Sequence, residues 1–255
     1  MTSRDDDRPI ALVTGAARRV GLAIAHRLAV DGCDLVITYR TSEDEARDTK
    51  SSIESNTGAA VRLEPLDLDD LEATESFGER MATALPRLDV LVHNASIYFP
   101  TPLAETDAAR ALALYRVNAL APLLLTKQLA GALQASTQPG GGGVVCMADI
   151  HAMGRPRQDF AAYSMSKAAL VEMVRSLARD LAPDVRVNAV APGVVAFPEE
   201  GYESDQETQR RYLSRVPLDR SGTPQDAAEA VTWLARHATY TTGQVIRVDG
   251  GRYLA

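Results

Sequence analysis

The chain has 255 residues, of which 45% are hydrophobic, so it is long enough and apolar enough to bury a full core. Its 34 acidic and 27 basic residues give a net charge of −7, which argues against a nucleic-acid-binding surface but leaves room for a local basic pocket. Its 2 cysteines are too few for a disulfide framework, and no run reaches the roughly 18 continuous apolar residues of a membrane helix. We therefore expect a cytoplasmic protein with no membrane partner, in which residues 1–9 form a flexible polar tail.

Short β-branched runs alternate with longer amphipathic stretches along the chain. The runs that predict strands are residues 10–13, 34–39, 60–65, 90–93, 144–147, 185–190 and 244–248. The stretches that predict helices are residues 20–31, 42–56, 69–84, 107–134, 160–181 and 223–235. This alternation is typical of a doubly wound α/β fold, and we predict a single Rossmann-like domain over residues 1–255 with a seven-stranded, mostly parallel sheet flanked by helices. A long polar connection at residues 194–215 predicts a lid over a substrate site.

The first predicted strand leads through a turn, from Thr14 to Gly21, into the first helix. A glycine at the strand exit permits a tight turn, and the helix N-terminus offers free N–H groups and a positive dipole end to a diphosphate. We expect the turn to bind a nucleotide cofactor, although such a joint also occurs as a plain connection. Arg19 stands where a middle glycine is common, and its guanidinium could reach an additional phosphate. The turn residues assigned to the cofactor are Thr14, Gly15, Arg18, Arg19, Val20 and Gly21.

The end of the second strand indicates which dinucleotide would bind. A ribose with a free 2′-hydroxyl is usually met there by Asp or Glu, whereas this chain has Tyr39, Arg40, Thr41 and Ser42. An arginine, two hydroxyls and a helix N-terminus would attract a 2′-phosphate, so we predict NADPH/NADP+, with Arg19 converging on the same region. The alternative is that Thr41 or Ser42 caps the next helix while Arg40 is solvated.

A second polar position follows the third strand, where the chain reads Asp67-Leu68. The carboxylate of Asp67 would accept a hydrogen bond from an adenine amino group, which places both residues in the predicted cofactor site. Asp67 could instead mark the start of the next helix.

Tyr163 and Lys167 are four residues apart in a predicted helix and therefore share one of its faces. A free phenol with a pKa near 10 is a poor acid–base catalyst at neutral pH, and a nearby ammonium would lower that pKa. The pair is consequently a candidate for proton transfer. Asn118 lies in an otherwise apolar helix and needs partners, through either a water chain that reaches Lys167 or a structural hydrogen bond.

These motifs together resemble the short-chain dehydrogenase/reductase family over essentially the whole chain. The set that carries the resemblance is Thr14-Gly15 with Gly21, Asp67, Asn94-Ala95, Asn118, Tyr163 with Lys167, Pro192-Gly193 and the ending Val248-Asp249-Gly250-Gly251. The family implies NAD(P)-dependent hydride transfer to or from a small-molecule substrate, in a homotetramer.

The resemblance also implies a role for each matching residue. Tyr163 would be the proton donor, Lys167 would bind the nicotinamide ribose and lower the tyrosine pKa, and Asn118 would belong to a proton relay. The cofactor would be lined by Asn94, Ala95 and Ser96, with Pro192 and Gly193 beside the nicotinamide.

The chain departs from most of the family after the fifth strand, where Asp149 stands in place of a serine. A carboxylate beside a developing alkoxide would raise the barrier to carbonyl reduction. A carboxylic acid suits a different reaction, in which it pairs with a basic nitrogen heterocycle and helps to deliver a proton to a C=N bond. The alternative is that Asp149 caps the loop.

Asp149 and the segment after Asn94 resemble one subgroup, the pteridine and dihydromonapterin reductases. In that subgroup an aromatic residue stacks on the pterin ring, a role that would fall on Tyr98, or less aptly on Phe99, with Ser96 lining the same site. Tyr98 and Phe99 could instead be packing residues. The basic Arg155-Pro156-Arg157 segment matches nothing that we can assign to pterin contacts.

We therefore predict an NADPH-dependent reductase of a pterin or related heterocycle, with no metal and with Tyr163, Lys167, Asp149 and Asn118 as catalytic residues. A carbonyl reductase of the same family, acting on a ketoacyl or other ketone substrate, is the enzymatic alternative. A non-catalytic NADP(H) sensor is less apt because sensing requires none of those side chains.

Overall fold

The computed structural model describes residues 8–197 and 204–255. Seven parallel strands form one sheet in the order β3-β2-β1-β4-β5-β6-β7. The strands are β1 (Ile10–Val13), β2 (Asp34–Tyr39), β3 (Val61–Pro65), β4 (Val90–His93), β5 (Gly142–Met147), β6 (Val185–Pro192) and β7 (Val245–Val248). The predicted doubly wound fold is confirmed. Because the strand order reverses between β1 and β4, a crevice opens at their carboxyl ends, where such folds bind ligands.

Helices cover both faces of the sheet, and each face has its own apolar core. The helices are α1 (Arg19–Val30), α2 (Glu43–Thr57), α3 (Leu71–Ala84), α4 (Ala108–Tyr115), α5 (Ala121–Gln134), α6 (Ala161–Asp180), α7 (Gln206–Leu213) and α8 (Pro224–Thr232). On one face α1 packs against α8, with Leu28 and Val231 fully buried. On the other face α3 packs against α5, with Phe77 and Leu125 buried. Both sides of the sheet are covered, which explains why the strands are continuous apolar runs.

The single helix predicted over residues 107–134 is interrupted by a turn of π-helix, Arg116–Leu120, between α4 and α5. By length and composition alone, the stretch Ala108–Gln134 could span a membrane. In this fold α5 packs on α3 and α4 packs on α6, and Leu114, Leu125 and Leu129 are fully buried between them. The core thus accounts for these leucines, whereas Leu112, Tyr115 and Leu123 of the same stretch are exposed.

Two predicted segments fall partly outside the described residues: 1–7 of the N-terminal tail and 198–203 of the lid. The last two residues of the predicted tail are hydrogen-bonded to the sheet region: the Asp34 N–H donates to the Pro9 carbonyl (2.8 Å), and the Arg87 side chain donates to the Arg8 carbonyl (3.2 Å). The described part of the lid segment contains α7, a helix that the polar composition did not predict. Asp205 caps its N-terminus by accepting from the Thr208 N–H (2.8 Å).

Candidate functional site

A cleft of about 700 Å³ lies at the carboxyl ends of the strands and contains most of the predicted site. The predicted residues that line it are Gly15, Arg18, Arg19, Val20, Gly21, Tyr39, Arg40, Thr41, Ser42, Asp67, Leu68, Asn94, Ala95, Ser96, Tyr98, Asp149, Tyr163, Lys167, Pro192 and Gly193. Three predicted residues, Thr14, Asn118 and Phe99, are not among the lining residues. The fold thus brings distant motifs to one crevice.

The turn after β1 is shaped by two glycines that no other residue could replace. Gly15 has φ +64°, and a Cβ there would lie 2.9 Å from that of Ala95. A Cβ on Gly21 would collide with the Gly15 carbonyl oxygen, so α1 can approach the turn closely only because residue 21 is glycine. Arg18 is the N-cap residue of α1, and its side chain makes no capping hydrogen bond. The N-terminal N–H groups of α1 therefore open on the cleft in an arrangement that suits a phosphate.

Thr14 is a structural residue and does not contact the cleft. Its hydroxyl is fully buried and accepts from the backbone N–H groups of Asn94 (3.0 Å) and Ala95 (3.1 Å), which ties the end of β1 to the end of β4. Asn94 strengthens the same joint, since its amide donates to the carbonyls of Thr14 (3.0 Å) and Gly15 (2.9 Å). The assignment of Thr14 to cofactor binding is corrected accordingly.

The predicted convergence of Arg19 and Arg40 does not occur. Arg19 adopts a left-handed backbone conformation, with φ +53°, and its guanidinium donates to the carbonyls of Ala196 (3.4 Å) and Phe197 (3.3 Å). Those carbonyls follow β6, which is four strands away from β2 and Arg40 in the sheet. Arg19 lines the cleft, but its guanidinium is held at the start of the predicted lid segment.

Arg40, Thr41 and Ser42 line the opposite end of the cleft, where Arg40 and Thr41 are exposed. Ser42 is the N-cap residue of α2, yet its side chain makes no capping hydrogen bond. The alternative was that Thr41 or Ser42 only caps the helix. Ser42 does occupy the N-cap position, but its hydroxyl does not make the capping hydrogen bond. Asp67 is also exposed at this end and accepts from the Asp69 N–H (3.0 Å).

Tyr163, Asp149 and Lys167 form a compact polar group below the other end of the cleft. The Tyr163 hydroxyl donates to the Asp149 carboxylate (2.9 Å), whose other oxygen accepts from the His151 N–H (2.8 Å). The latter bond is the loop cap foreseen as an alternative, so Asp149 both caps the loop and faces the phenol. Lys167 is buried, and its ammonium donates to the Met147 carbonyl (2.8 Å).

The pKa shifts in this group differ from the sequence prediction. Burial, followed by the charge and hydrogen bond of Asp149, raises the pKa of Tyr163 well above its usual value. The predicted lowering by Lys167 is not among the causes of this shift, which burial and Asp149 dominate. Burial also lowers the pKa of Lys167 to about 8, with Asp149 opposing the shift. Tyr163 is consequently a protonated phenol at neutral pH.

Asn118 lies in the π turn and is buried. Protein groups provide all the hydrogen-bond partners of its side-chain amide. Its oxygen accepts from the Ser96 hydroxyl (2.9 Å) and the Ile97 N–H (3.0 Å). Its nitrogen donates to the Ile97 carbonyl (3.0 Å) and the Ser166 hydroxyl (3.0 Å). The structural hydrogen-bond alternative is therefore the one observed, and the amide is not directed at Lys167.

The two aromatic candidates separate, because they are adjacent in an extended segment and their side chains point to different sides. Tyr98 lines the cleft, is 38% exposed, stacks on Phe160 (4.8 Å between ring centres) and meets Tyr163 edge to face (4.9 Å). Phe99 instead lies 5.2 Å beneath the Arg110 guanidinium and packs with Leu114. The assignment of Phe99 to substrate binding is corrected.

The cleft also has lining residues that the sequence did not assign, chiefly His151, Arg157, Phe197 and Tyr212. Tyr212, on α7, accepts from the Val194 N–H (3.1 Å) and meets Phe197 edge to face (6.1 Å). No local sequence motif predicts these contacts, because they join residues that are distant from one another within the lid segment. Arg157 had a signal, the basic segment before α6, but the sequence did not indicate a function for it.

The chain resembles known reductases over nearly its full length. It matches the model of a family described as enoyl-(acyl carrier protein) reductase over residues 15–252. It is 33% identical to a protein named as ketoacyl reductase 2 of the granaticin polyketide synthase from Streptomyces violaceoruber, covering 100% of both chains. It is 32% identical to pteridine reductase 1 of Leishmania tarentolae, covering 95% of this chain and 96% of that one. A solved structure, a blue fluorescent protein from a metagenomic library in complex with NADPH, is similar with a TM-score of 0.85, 31% identity and coverage of 96% and 97%.

Proposed function

The chain belongs to the short-chain dehydrogenase/reductase family and is an oxidoreductase, and from this premise we propose that it uses NADPH to reduce a C=N bond of a pterin or related planar heterocycle. The observation that carries the proposal is the 2.9 Å hydrogen bond from Tyr163 to Asp149 at the wall of the cleft. A carboxylate beside the proton donor distinguishes a site for a basic nitrogen from a site for a ketone.

The residues of the cleft fit NADPH from one end to the other. The uncapped N-terminus of α1 suits the diphosphate, and Gly15 and Gly21 allow the backbone to approach it. At the end of β2, Arg40 and the uncapped Ser42 suit a 2′-phosphate, and no acidic residue stands at residues 39–42 to repel one. The similar protein that is solved in complex with NADPH supports the same cofactor.

The chemistry divides between the cofactor and the chain. When bound, NADPH supplies the hydride that adds to the ring carbon of the C=N bond. Tyr163 supplies the proton that the ring nitrogen takes up, because its raised pKa keeps the phenol protonated until that step. Asp149 accepts from Tyr163 and stabilises positive charge on the ring nitrogen. Lys167 positions the ribose, and its positive charge interacts with the carboxylate of Asp149.

Asp149 is also the reason to prefer a C=N bond over a ketone. Reduction of a ketone places negative charge on oxygen, and a carboxylate at this position would oppose that charge. Protonation of a ring nitrogen creates positive charge, which the same carboxylate favours. Tyr98, at the wall of the cleft and edge to face with Tyr163, offers an aromatic surface to a planar ring.

The substrate is tested by following the loss of nicotinamide absorbance with dihydrobiopterin, dihydrofolate and dihydromonapterin. We expect turnover with at least one of them, and Asp149→Ala should reduce that turnover more than it reduces NADPH affinity. Absence of turnover with all three, together with activity on a simple ketone, would contradict the proposal. That outcome would favour the second candidate, a ketoacyl or other carbonyl reductase, which the 33% identity to a protein named as a ketoacyl reductase supports.

The cofactor is tested separately by comparing NADPH with NADH in the wild type and in Arg40→Ala. We expect tighter binding of NADPH and a loss of about tenfold or more in its affinity on removal of Arg40, with little change for NADH. Equal affinity for the two cofactors in the wild type would contradict the role of Arg40. We also propose a cytoplasmic homotetramer, as the family suggests, with the assembly measurable by sedimentation velocity.

A further inference from the structure

The segment between Asp149 and α6 carries a cation that the reaction described above does not use. Arg157 lines the cleft, with its guanidinium carbon 4.4 Å from the ring centre of Phe160 and 5.5 Å from that of Tyr98. Both rings are part of the aromatic wall that meets Tyr163. The positive charge is therefore fixed beside the substrate end of the cleft.

The charge of Arg157 acts on the pKa values of two tyrosine hydroxyls, those of Tyr163 and Tyr212. Burial raises the pKa of Tyr163 and of Tyr212, and Arg157 opposes the rise in both. The two tyrosines come from α6 and α7, and both line the cleft. The guanidinium is therefore close enough to both hydroxyls to act on their pKa values, and it lines the same cleft as the carboxylate of Asp149.

Stacking on an aromatic ring orients a guanidinium in a specific way. Its flat face packs on the ring, while its N–H groups lie in the plane of the fork and are directed to the side. In that geometry the fork matches a carboxylate, to which it can donate two parallel hydrogen bonds. A lysine at this position would supply charge without the flat, oriented fork.

We propose that Arg157 is a specificity-determining residue that selects substrates in which a side chain of the ring that is reduced carries a carboxylate or an equivalent anionic group. The identity of the ring rests on the proposed function, whereas the preference for an anion rests on Arg157 alone. Asp149 would then bind the ring nitrogen of the substrate, and Arg157 would bind its anionic substituent.

Arg155 provides a matched control in the same segment. Its guanidinium donates to the Tyr253 carbonyl (3.2 Å), and it is not among the residues that line the cleft. Arg155→Gln and Arg157→Gln each remove one positive charge two residues apart in sequence. If net charge alone mattered, both variants would change the substrate preference. If Arg157 contacts the substrate, only Arg157→Gln would change it.

The experiment compares dihydrofolate, whose tail carries carboxylates, with dihydrobiopterin, whose tail is neutral. We expect Arg157→Gln to lower kcat/KM for dihydrofolate about tenfold, mainly through KM, and to leave kcat/KM for dihydrobiopterin within about twofold. Arg157→Lys should recover part of the loss, and Arg155→Gln should leave the ratio of the two substrates unchanged. An equal loss for both substrates in Arg157→Gln would overturn the proposal, since it would assign Arg157 to packing of Tyr98 and Phe160. A similar change of the ratio in Arg155→Gln would overturn it as well.

A second pair of substrates separates this inference from the proposed function. If none of the three substrates dihydrobiopterin, dihydrofolate and dihydromonapterin is reduced, the proposed function fails, and the same variants are compared on a keto acid and its methyl ester. A preference of the wild type for the acid that Arg157→Gln abolishes would support the role of Arg157 on a different substrate. No preference for the acid, or a preference that survives in Arg157→Gln, would overturn that role.

Discussion

Buried charged groups occur at both ends of the parallel sheet, and the two ends differ in how many partners the protein supplies. At the amino ends, Arg186 donates to the carbonyls of Gly140, Leu234, Ala235 and Ala238 over 2.7 to 3.0 Å. At the carboxyl ends, the ammonium of Lys167 has one hydrogen bond among the described residues, to Met147. The protein supplies acceptors for four of the five N–H groups of Arg186 and, among the described residues, for one of the three of Lys167.

This difference separates stability from function. A fully bonded buried ion fixes the packing around it, as Asp89 also does at the amino ends by accepting from Ile10, Arg87 and Ser136. A buried ion with few hydrogen bonds lowers the stability of the protein, and its unused donors remain available to a ligand. Substitutions at the two ends should therefore differ in kind: changes at the carboxyl ends should alter activity and those at the amino ends should alter stability.

The largest effect is expected for Tyr163→Phe, which removes the proton donor and keeps the ring. The kcat should fall by about 10²- to 10⁴-fold, the contribution of a positioned general acid, while NADPH affinity stays within about threefold. Steady-state kinetics and isothermal titration calorimetry measure the two quantities. Tyr115→Phe is the control, because Tyr115 is exposed on α4 and is not among the residues that line the cleft. Retention of more than a tenth of the wild-type kcat in Tyr163→Phe would show that another group donates the proton.

At the opposite end, Arg186→Met should act on stability alone. The substitution keeps much of the side-chain volume but leaves four carbonyls without their donor, three in buried residues and one at the exposed Gly140, at about 1 kcal/mol each. The free energy of unfolding should fall by about 4 kcal/mol and the Tm by about 8 to 16 °C, as measured by denaturant titration and calorimetry. The kcat of the folded variant should match that of the wild type. A change of less than about 1 kcal/mol would mean that water replaces the guanidinium at these carbonyls.

Asn118 sharpens the comparison because it lies at the carboxyl ends but has the full set of partners typical of the other end. Asn118→Ala should lower the free energy of unfolding by about 3 kcal/mol, since it frees the hydroxyls of Ser96 and Ser166 and both backbone groups of Ile97. Any loss of kcat should come without a change in the shape of the pH–rate profile. A shifted pH profile would instead support the proton relay predicted from the sequence.

Asn118 and Thr14 also show what the sequence could and could not predict. The fold, the family and most of the cleft were predictable because strand periodicity and the motifs around Gly15, Tyr163 and Pro192 are local patterns. Thr14 is also part of a motif, but its partners are 80 and 81 residues away on β4. Nothing in the turn itself distinguishes a hydroxyl that binds a cofactor from one that joins two strands.

The remaining corrections have the same origin in long-range contacts. Arg19 has the residue type that suits a phosphate, yet its direction is set by carbonyls that lie 177 and 178 residues further along the chain. The π turn that holds Asn118 is equally invisible in an apolar helix pattern, because one extra residue in a turn barely alters the periodicity. The sequence thus predicted which residue types lie at the site, but it did not predict their hydrogen-bond partners.

The smallest expected effect, and the one opposite in sign to that of Arg186, belongs to Lys167→Met. At pH 7 the native protein carries a buried ammonium whose pKa is lowered to about 8, so folding has to bury a charge that the variant lacks. Removal of that charge should raise the free energy of unfolding by about 1 to 2 kcal/mol after allowance for the lost bond to Met147, and the Tm by about 2 to 8 °C. The variant should be inactive, so the readout is stability alone.

The pH dependence of this gain follows from the sign of the shift. The pKa of Lys167 is about 8 in the folded protein and near 10.4 in the unfolded chain, so between these values the unfolded state binds more protons and the wild type becomes more stable as pH rises. The advantage of Lys167→Met should therefore be complete below about pH 8 and disappear as pH approaches 10.4, whereas the loss in Arg186→Met should be the same across that range. Denaturant titrations of all three proteins at pH 7 and pH 10 measure the difference. An advantage of Lys167→Met that does not shrink between these pH values would mean that the ammonium is already compensated in the fold, and the contrast between the two ends of the sheet would not hold.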